Sequence, residues 1–165
     1  MSKYLHDSVV PFKDSERSKK EQVAGMFDQI AFRYDLMNRF LSGGIDVYWR
    51  KRAIRELRPL KPQKVLDVAT GTADVAIMTY KYLKPEKVIG IDISEGMLEL
   101  GRKKVAKLLL NRHIELESGD SEAINYGDNT FDAITVAFGV RNFEHLEKGL
   151  SEMLRVLKPG GKLVV

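Results

Sequence analysis

Apolar residues recur along this chain with two different rhythms, and the change between them divides it. From Ser18 to Leu41, residues Val23, Met26, Phe27, Ile30, Tyr34, Met37 and Leu41 fall at steps of three or four. That spacing predicts one face of a helix. Ser42, Gly43 and Gly44 break it. Asp46 is placed to cap a second helix carrying Val47, Ala53, Ile54 and Leu57, which Pro59 and Pro62 end. From Lys64 onward, short apolar runs alternate with helical stretches. Strands are predicted over Val65–Ala69, Lys87–Ile91, Ile114–Glu117 (the weakest) and Phe131–Ala137. Helices are predicted over Asp74–Leu83, Glu95–Leu109 and Glu144–Leu157, the last with Leu146, Leu150, Met153, Leu154 and Leu157 on one face. Pro159, Gly160 and Gly161 read as a turn, and Lys162–Val165 as the start of a further strand.

This β-α-β-α order predicts an α/β fold, mostly parallel, with right-handed crossovers and helices on both faces. A helical region over 1–62 precedes a core over 63–165. A chain that halts inside an apolar strand reads as part of a longer protein whose last strands lie beyond it.

Composition narrows the chemistry. The length of 165 residues is about one domain. There is no cysteine, which excludes disulfides, thiolate metal sites and a cysteine nucleophile. Three scattered histidines (His6, His113, His145) argue against a histidine metal site, and no metal is expected. There is no long apolar run and no signal-peptide core, so the cytoplasm is the expected compartment. The net charge of +4 is a mild excess, partly local to Arg50, Lys51, Arg52, Arg55 and Arg58. Such a cluster reads either as a solvated helix face or as a surface for an anionic leaflet. No basic stretch is interleaved with aromatics, so nucleic acid is not an expected partner.

Three strand ends carry candidate chemistry. Asp67 leads into Ala69-Thr70-Gly71-Thr72-Ala73, a tight small-residue turn before a helix, where ligands of open α/β sheets bind. It also reads as a plain βα turn. Asp92 ends the second strand, where a carboxylate can accept from both ribose hydroxyls, or merely cap a helix. Asp120 and Ser121 follow the third, where an acid can receive the exocyclic amine of adenine, or form a polar turn. Dinucleotide folds want G-x-G-x-x-G for a pyrophosphate, and only Gly71 is glycine in this turn. S-adenosylmethionine has no phosphate, so an acid and small residues suit it better.

At this point the chain resembles the ubiquinone/menaquinone biosynthesis C-methyltransferase family, a class I S-adenosylmethionine-dependent, Rossmann-like group. The residues that carry the resemblance are Tyr34-Asp35-Leu36-Met37-Asn38 with Leu41-Ser42 and Trp49, then Ala137-Phe138-Gly139-Val140-Arg141-Asn142, and Arg155-Val156-Leu157-Lys158-Pro159-Gly160-Gly161. The resemblance implies C-methylation of a prenylated quinol, with demethylmenaquinol preferred over a methoxy-polyprenyl-benzoquinol. It places Thr72 at the methionine moiety, Asp92 on the ribose, and Asp120 with Ser121 around adenine. Asp67 would orient the turn or the amino group. Arg141 is implied to stabilise the quinolate or polarise a water, with Asn142 orienting that water or the cofactor. Tyr34 is a substrate-site candidate. Phe27, Tyr34, Met37, Phe40 and Leu41 read as a lid, a lipid-facing surface or plain core packing. Four departures stand out. Asp46 replaces a histidine, and Ala137 replaces a serine. Ala73 replaces a glycine, with one more methyl and a poorer tolerance of positive φ. The family also continues well past Val165. A homodimer and a peripheral contact at the inner face of a membrane are compatible with this reading. Other readings are a same-fold methyltransferase on another small molecule, a nonenzymatic S-adenosylmethionine-binding scaffold subunit and, against the glycine spacing, a nicotinamide oxidoreductase.

Overall fold

The computed structural model describes residue 11 and residues 18–42 and 45–165, and of residues 31–42 the backbone only. Two helices lead, α1 (Lys19–Ser42) and α2 (Ile45–Arg55), followed by a 3-10 turn at Arg58–Leu60. The core then runs β1 (Lys64–Val68), α3 (Asp74–Leu83), β2 (Lys87–Asp92), α4 (Glu95–Lys107), β3 (Ile114–Ser118) and β4 (Phe131–Val136). A 3-10 turn at Val140–Asn142, α5 (Leu146–Val156) and β5 (Leu157–Val164) complete it. The strands form one sheet in the order β3-β2-β1-β4-β5, and every neighbouring pair is parallel. The chain runs outward from β1 through β2 and β3, then returns to β4 on the other side. The carboxyl ends of β1 and β4 therefore border a switch-point crevice.

The apolar runs form strands because both sheet faces are covered. Leu66, Val68, Ile89, Ile91, Ile134 and Val136 pack on one side with Met153 and Val156 of α5. Val88, Ile114 and Leu116 pack on the other with Ala76 and Ile77 of α3 and Leu98 and Val105 of α4. Such double burial gives near-continuous apolar strands instead of alternating ones. Ser94 fixes the start of α4, its Oγ accepting the Met97 N–H at 3.2 Å.

Five expectations need correction or restriction. Asp46 does not cap α2: the helix begins at Ile45, and Asp46 is buried in its first turn, 3.3 Å from Arg50. Arg50 is no member of a basic surface, because it turns inward to Asp46 and Asp74. Leu154 leaves the buried face of α5 and is 71% exposed. That face centres on Gly149, Met153 and Val156, because Phe143 packs where a Cβ on Gly149 would lie 2.6 Å from its ring. Pro159–Gly161 is not a turn ahead of a strand. It lies within β5, whose register against β4 jumps from Leu157↔Phe131 to Lys162↔Ala133. Gly43, Gly44 and the side chain of Tyr34 lie outside the described residues.

Candidate functional site

A cleft of about 710 Å³, open solvent included, lies at the carboxyl ends of β1, β2, β3 and β4. Beneath the cleft, behind its lining, lies Asp67, which is 1% exposed. Thr70 Oγ1 and Thr135 Oγ1 each donate to one of its carboxylate oxygens at 2.6 Å. Burial pushes Asp67 up to about 6, against the lowering effects of both hydroxyls and of nearby Arg50. Asp67 does not line the cleft. It ties the turn after β1 to β4.

The turn itself is bent by left-handed residues. Ala69 (φ +54), Gly71 (φ +56) and Ala73 (φ +66) alternate with ordinary ones, and Phe138 (φ +64) does the same after β4. Each left-handed non-glycine costs about 1–2 kcal/mol. Strain of this kind gathers where a ligand site needs a special backbone path. Ala73 thus adopts the positive φ that its methyl disfavours. Gly139 meets this turn closely, since a Cβ there would lie 2.4 Å from that of Ala69.

Asp92 lines the cleft. It accepts the Gly71 N–H at 2.7 Å on one oxygen and the Ser94 N–H at 2.9 Å on the other. Burial raises its pKa, opposed by these backbone donors. Each oxygen keeps a second lone pair for a hydroxyl. Asp120 and Ser121 line the next stretch, after β3. Asn142 also lines the cleft, whereas Arg141 is exposed and its side chain stands outside the lining. Thr72 is buried and turned away, its Oγ1 accepting from Lys104 Nζ at 2.8 Å.

Several residues that the sequence reading passed over complete the site. Lys20, Val23 and Phe27 of α1 form one wall. Their spacing was legible as one helix face, but not where that face would dock. Glu122 is 1% exposed at the lining, and its Oε1 accepts the His145 N–H at 2.8 Å. Arg50 holds Asp74 Oδ2 at 3.1 Å and stands 5.9 Å from the Phe138 ring. It thereby joins α2 to the turns after β1 and β4.

The lining has one polarity. Asp92, Asp120, Glu122 and Glu144 are acidic, and Lys20 is the one cation among the described lining residues. The Gly71 N–H that a phosphate would need is already given to Asp92. A cleft with this acidic excess disfavours a pyrophosphate and suits a cationic, amine-bearing nucleoside. Among the described residues, no group of three or more His, Asp or Glu is placed to hold a metal ion.

A model of the ubiE/COQ5 methyltransferase family matches residues 15–165. The demethylmenaquinone methyltransferase of Bacteroides fragilis is 52% identical over 162 residues, covering 98% of this chain and 66% of that protein. A ubiquinone/menaquinone biosynthesis C-methyltransferase UbiE of Geobacter sulfurreducens is 49% identical over 148 residues, covering 89% of this chain and 58% of its own. The chain thus spans less than two thirds of the length of either relative. Among solved structures, a SAM dependent methyltransferase from Aquifex aeolicus shares 35% identity at a TM-score of 0.54, over 59% of this chain and 52% of that one. The [4+2]-cyclase SpnF, at 22% identity, shares the fold with a TM-score of 0.74, over 87% of this chain and 58% of its own.

Proposed function

The chain belongs to the ubiE/COQ5 methyltransferase family, and we propose that it builds the cofactor site of an S-adenosylmethionine-dependent enzyme that C-methylates a prenylated quinol, converting demethylmenaquinol to menaquinol. The carrying observation is the acidic cleft at the switch point. There, Asp92 takes the Gly71 N–H, and four acidic residues face a single lysine. The naming of the Bacteroides fragilis relative for demethylmenaquinone supports the naphthoquinol.

S-adenosylmethionine supplies an electrophilic methyl on a sulfonium leaving group. The chain's own residues bind and orient. Asp92 accepts from the ribose hydroxyls, while Asp120 and Ser121 meet the adenine edge. The bent turn Ala69–Ala73 leaves room for the methionine chain. Thr72 faces Lys104, so its part there is to brace the turn. The quinol would lose a phenolic proton to water, a C–CH3 bond would form at its neighbouring ring carbon as the S–CH3 bond breaks to leave the neutral thioether, and that carbon would lose its own proton to water to restore the aromatic ring. Alignment of this kind supplies on the order of 7–11 kcal/mol in well-positioned systems. Asn142 orients the reacting groups from the cleft wall, and Arg141, exposed one residue earlier on the same turn, turns in to stabilise the quinolate when substrate is bound. Guanidinium stays protonated, so Arg141 is no conventional base. Phe27, in the α1 wall of the cleft, serves as the lid over the ring.

A peripheral membrane contact is part of the same reading. The outward face of α2 exposes Ile45 (61%), Tyr48 (56%) and Trp49 (57%), and Arg52 and Arg55 are exposed further along it. Aromatic and basic residues on one face suit an anionic interface. Among the described residues, no helix is long and apolar enough to cross a membrane.

The test is a calorimetric titration of the chain with S-adenosylhomocysteine beside Asp92→Ala. Methyl transfer to demethylmenaquinol is then measured in the protein extended to its relatives' length. Saturable binding that falls about 100-fold or more in Asp92→Ala is expected, about 3 kcal/mol for charged hydrogen bonds lost in a buried site. Binding with no transfer to any quinol favours the nonenzymatic scaffold reading.

A further inference from the structure

Lys20 sits in the first turn of α1, 100 residues away in sequence from the acid it holds. Its Nζ donates to Asp120 Oδ2 at 2.8 Å and lies 2.9 Å from Glu122 Oε2. The two acids are not equivalent. Asp120 is one-third exposed in the cleft, and its other oxygen accepts the Glu122 N–H at 2.8 Å. Glu122 is almost fully buried, and its Oε2 has no hydrogen-bond partner of good geometry. A buried carboxylate without a counter-charge is costly, so Lys20 neutralises Glu122 and leaves Asp120 as the charge that faces the cleft.

The same ammonium also fixes where Asp120 points. One oxygen is held by the Glu122 amide and the other by Lys20, so the carboxylate has no free rotation. The held oxygen Oδ2 keeps a lone pair. Further along α1, Asp28 Oδ1 accepts from Ser94 Oγ at 2.6 Å and from the Gly96 N–H at 3.0 Å. The helix is therefore pinned at two places, to the segment just after Asp92 at the end of β2 and to the loop after β3 that carries Asp120.

We propose that Lys20 is a positioning residue for base recognition: by clamping Asp120 and neutralising Glu122, it makes the cleft select a nucleoside whose base presents an amino donor over one that presents a carbonyl. The chemistry is that of a fixed acceptor. An exocyclic amine donates to the clamped oxygen, whereas a carbonyl at the same place meets it lone pair to lone pair. The inference rests on the S-adenosylmethionine reading and deepens it.

The test compares S-adenosylhomocysteine with S-inosylhomocysteine, in which a carbonyl replaces the amine. Binding to the wild-type chain, Lys20→Met and Lys20→Arg is measured by calorimetry, with thermal melting as a check on folding. The wild type is expected to prefer the amine about ten-fold or more. Lys20→Met loses most of that preference, because a freed Asp120 rotates away from the base. Lys20→Arg keeps it within a few-fold, because the charge is retained. Equal weakening of both ligands in Lys20→Met, with the preference intact, overturns the proposal and leaves Lys20 as a helix anchor. Unchanged binding of both overturns it too. If Lys20→Met melts early, Glu122→Gln with Lys20→Met removes the unpaired buried charge, and the lost preference must persist. A wild-type chain that binds neither ligand overturns the cofactor reading and the proposal with it. A wild type that binds both equally overturns the proposal alone.

Discussion

Two polar clusters border the same cleft and are built in opposite ways. Beneath it, Asp67, Thr70 and Thr135 are buried; the Thr135 bond joins strands that are already paired through the backbone, and the Thr70 bond holds the turn after β1 to them. Beside it, Lys20, Asp28 and Asp120, partly open to water, join one helix to two loops with the buried Ser94 and Glu122 as partners. The first cluster is part of what holds the sheet together. The second holds α1 against loops at the edge of the cleft and joins no two strands. Interactions of similar length therefore have different reach, because burial and the loss of an alternative partner set their worth.

Removing the buried acceptor should do the most damage. Asp67→Ala strands two buried hydroxyls and leaves a hole, at a cost of about 3 kcal/mol in denaturant unfolding. Asp67→Asn isolates the charge. Because burial lifts Asp67 to about 6, the folded state holds its proton more tightly than the unfolded chain. The carboxyl thus contributes stability that is full below its unfolded value of 3.8 and is lost as pH rises through about 6. Between pH 3.5 and 7, the difference between wild type and Asp67→Asn should move against the wild type by about 3 kcal/mol. A flat difference would mean that the site is wet.

Gly139→Ala comes next. Its new Cβ, 2.4 Å from that of Ala69, must push the turns after β1 and β4 apart. The expected cost is about 1–3 kcal/mol, with weaker binding of S-adenosylhomocysteine. The smallest global effect belongs to Asp28→Ala, which loses the Ser94 and Gly96 bonds at the rim. It should lower overall stability by only about 0.5 kcal/mol, while amide exchange in residues 19–30 speeds up and exchange in β1 and β4 does not. Should Asp28→Ala destabilise the sheet as much as Gly139→Ala does, the contrast between the clusters fails.

The buried half was the legible half. Apolar runs at Val65, Val88 and Ile134 announce strands, and an acid just past such a run is readable as Asp92 or Asp120, because a doubly covered strand leaves its local mark. Helix boundaries came within a few residues for the same reason. Lys20 and Arg50 were not legible as site residues. Their partners lie 100 and 24 residues away, and a lysine or arginine on a helix carries no local sign of which way it turns. Asp46 read as a cap because a lone acid before a helix usually is one, whereas here it serves the inward-turned Arg50. Thr72 read as a ligand contact from its motif, and only the packing of α4 against the turn reveals that it faces Lys104. The left-handed backbone at Ala69 and Phe138 has no sequence signal either, since neither is glycine.

The strand order has a consequence in time. The Gly71–Asp92 bond closes a segment of 21 residues, while the Thr135–Asp67 bond closes one of 68. Longer closure is slower at equal reward, so β1, β2 and β3 gather first and β4 docks onto them later. Until that docking, the carboxylate of Asp67 lacks its second hydroxyl, and the turn above it has nothing to brace against. A refolding chain therefore pairs β1, β2 and β3 first, the docking of β4 completes both sheet and ligand site, and ligand capture during refolding reports that final step alone.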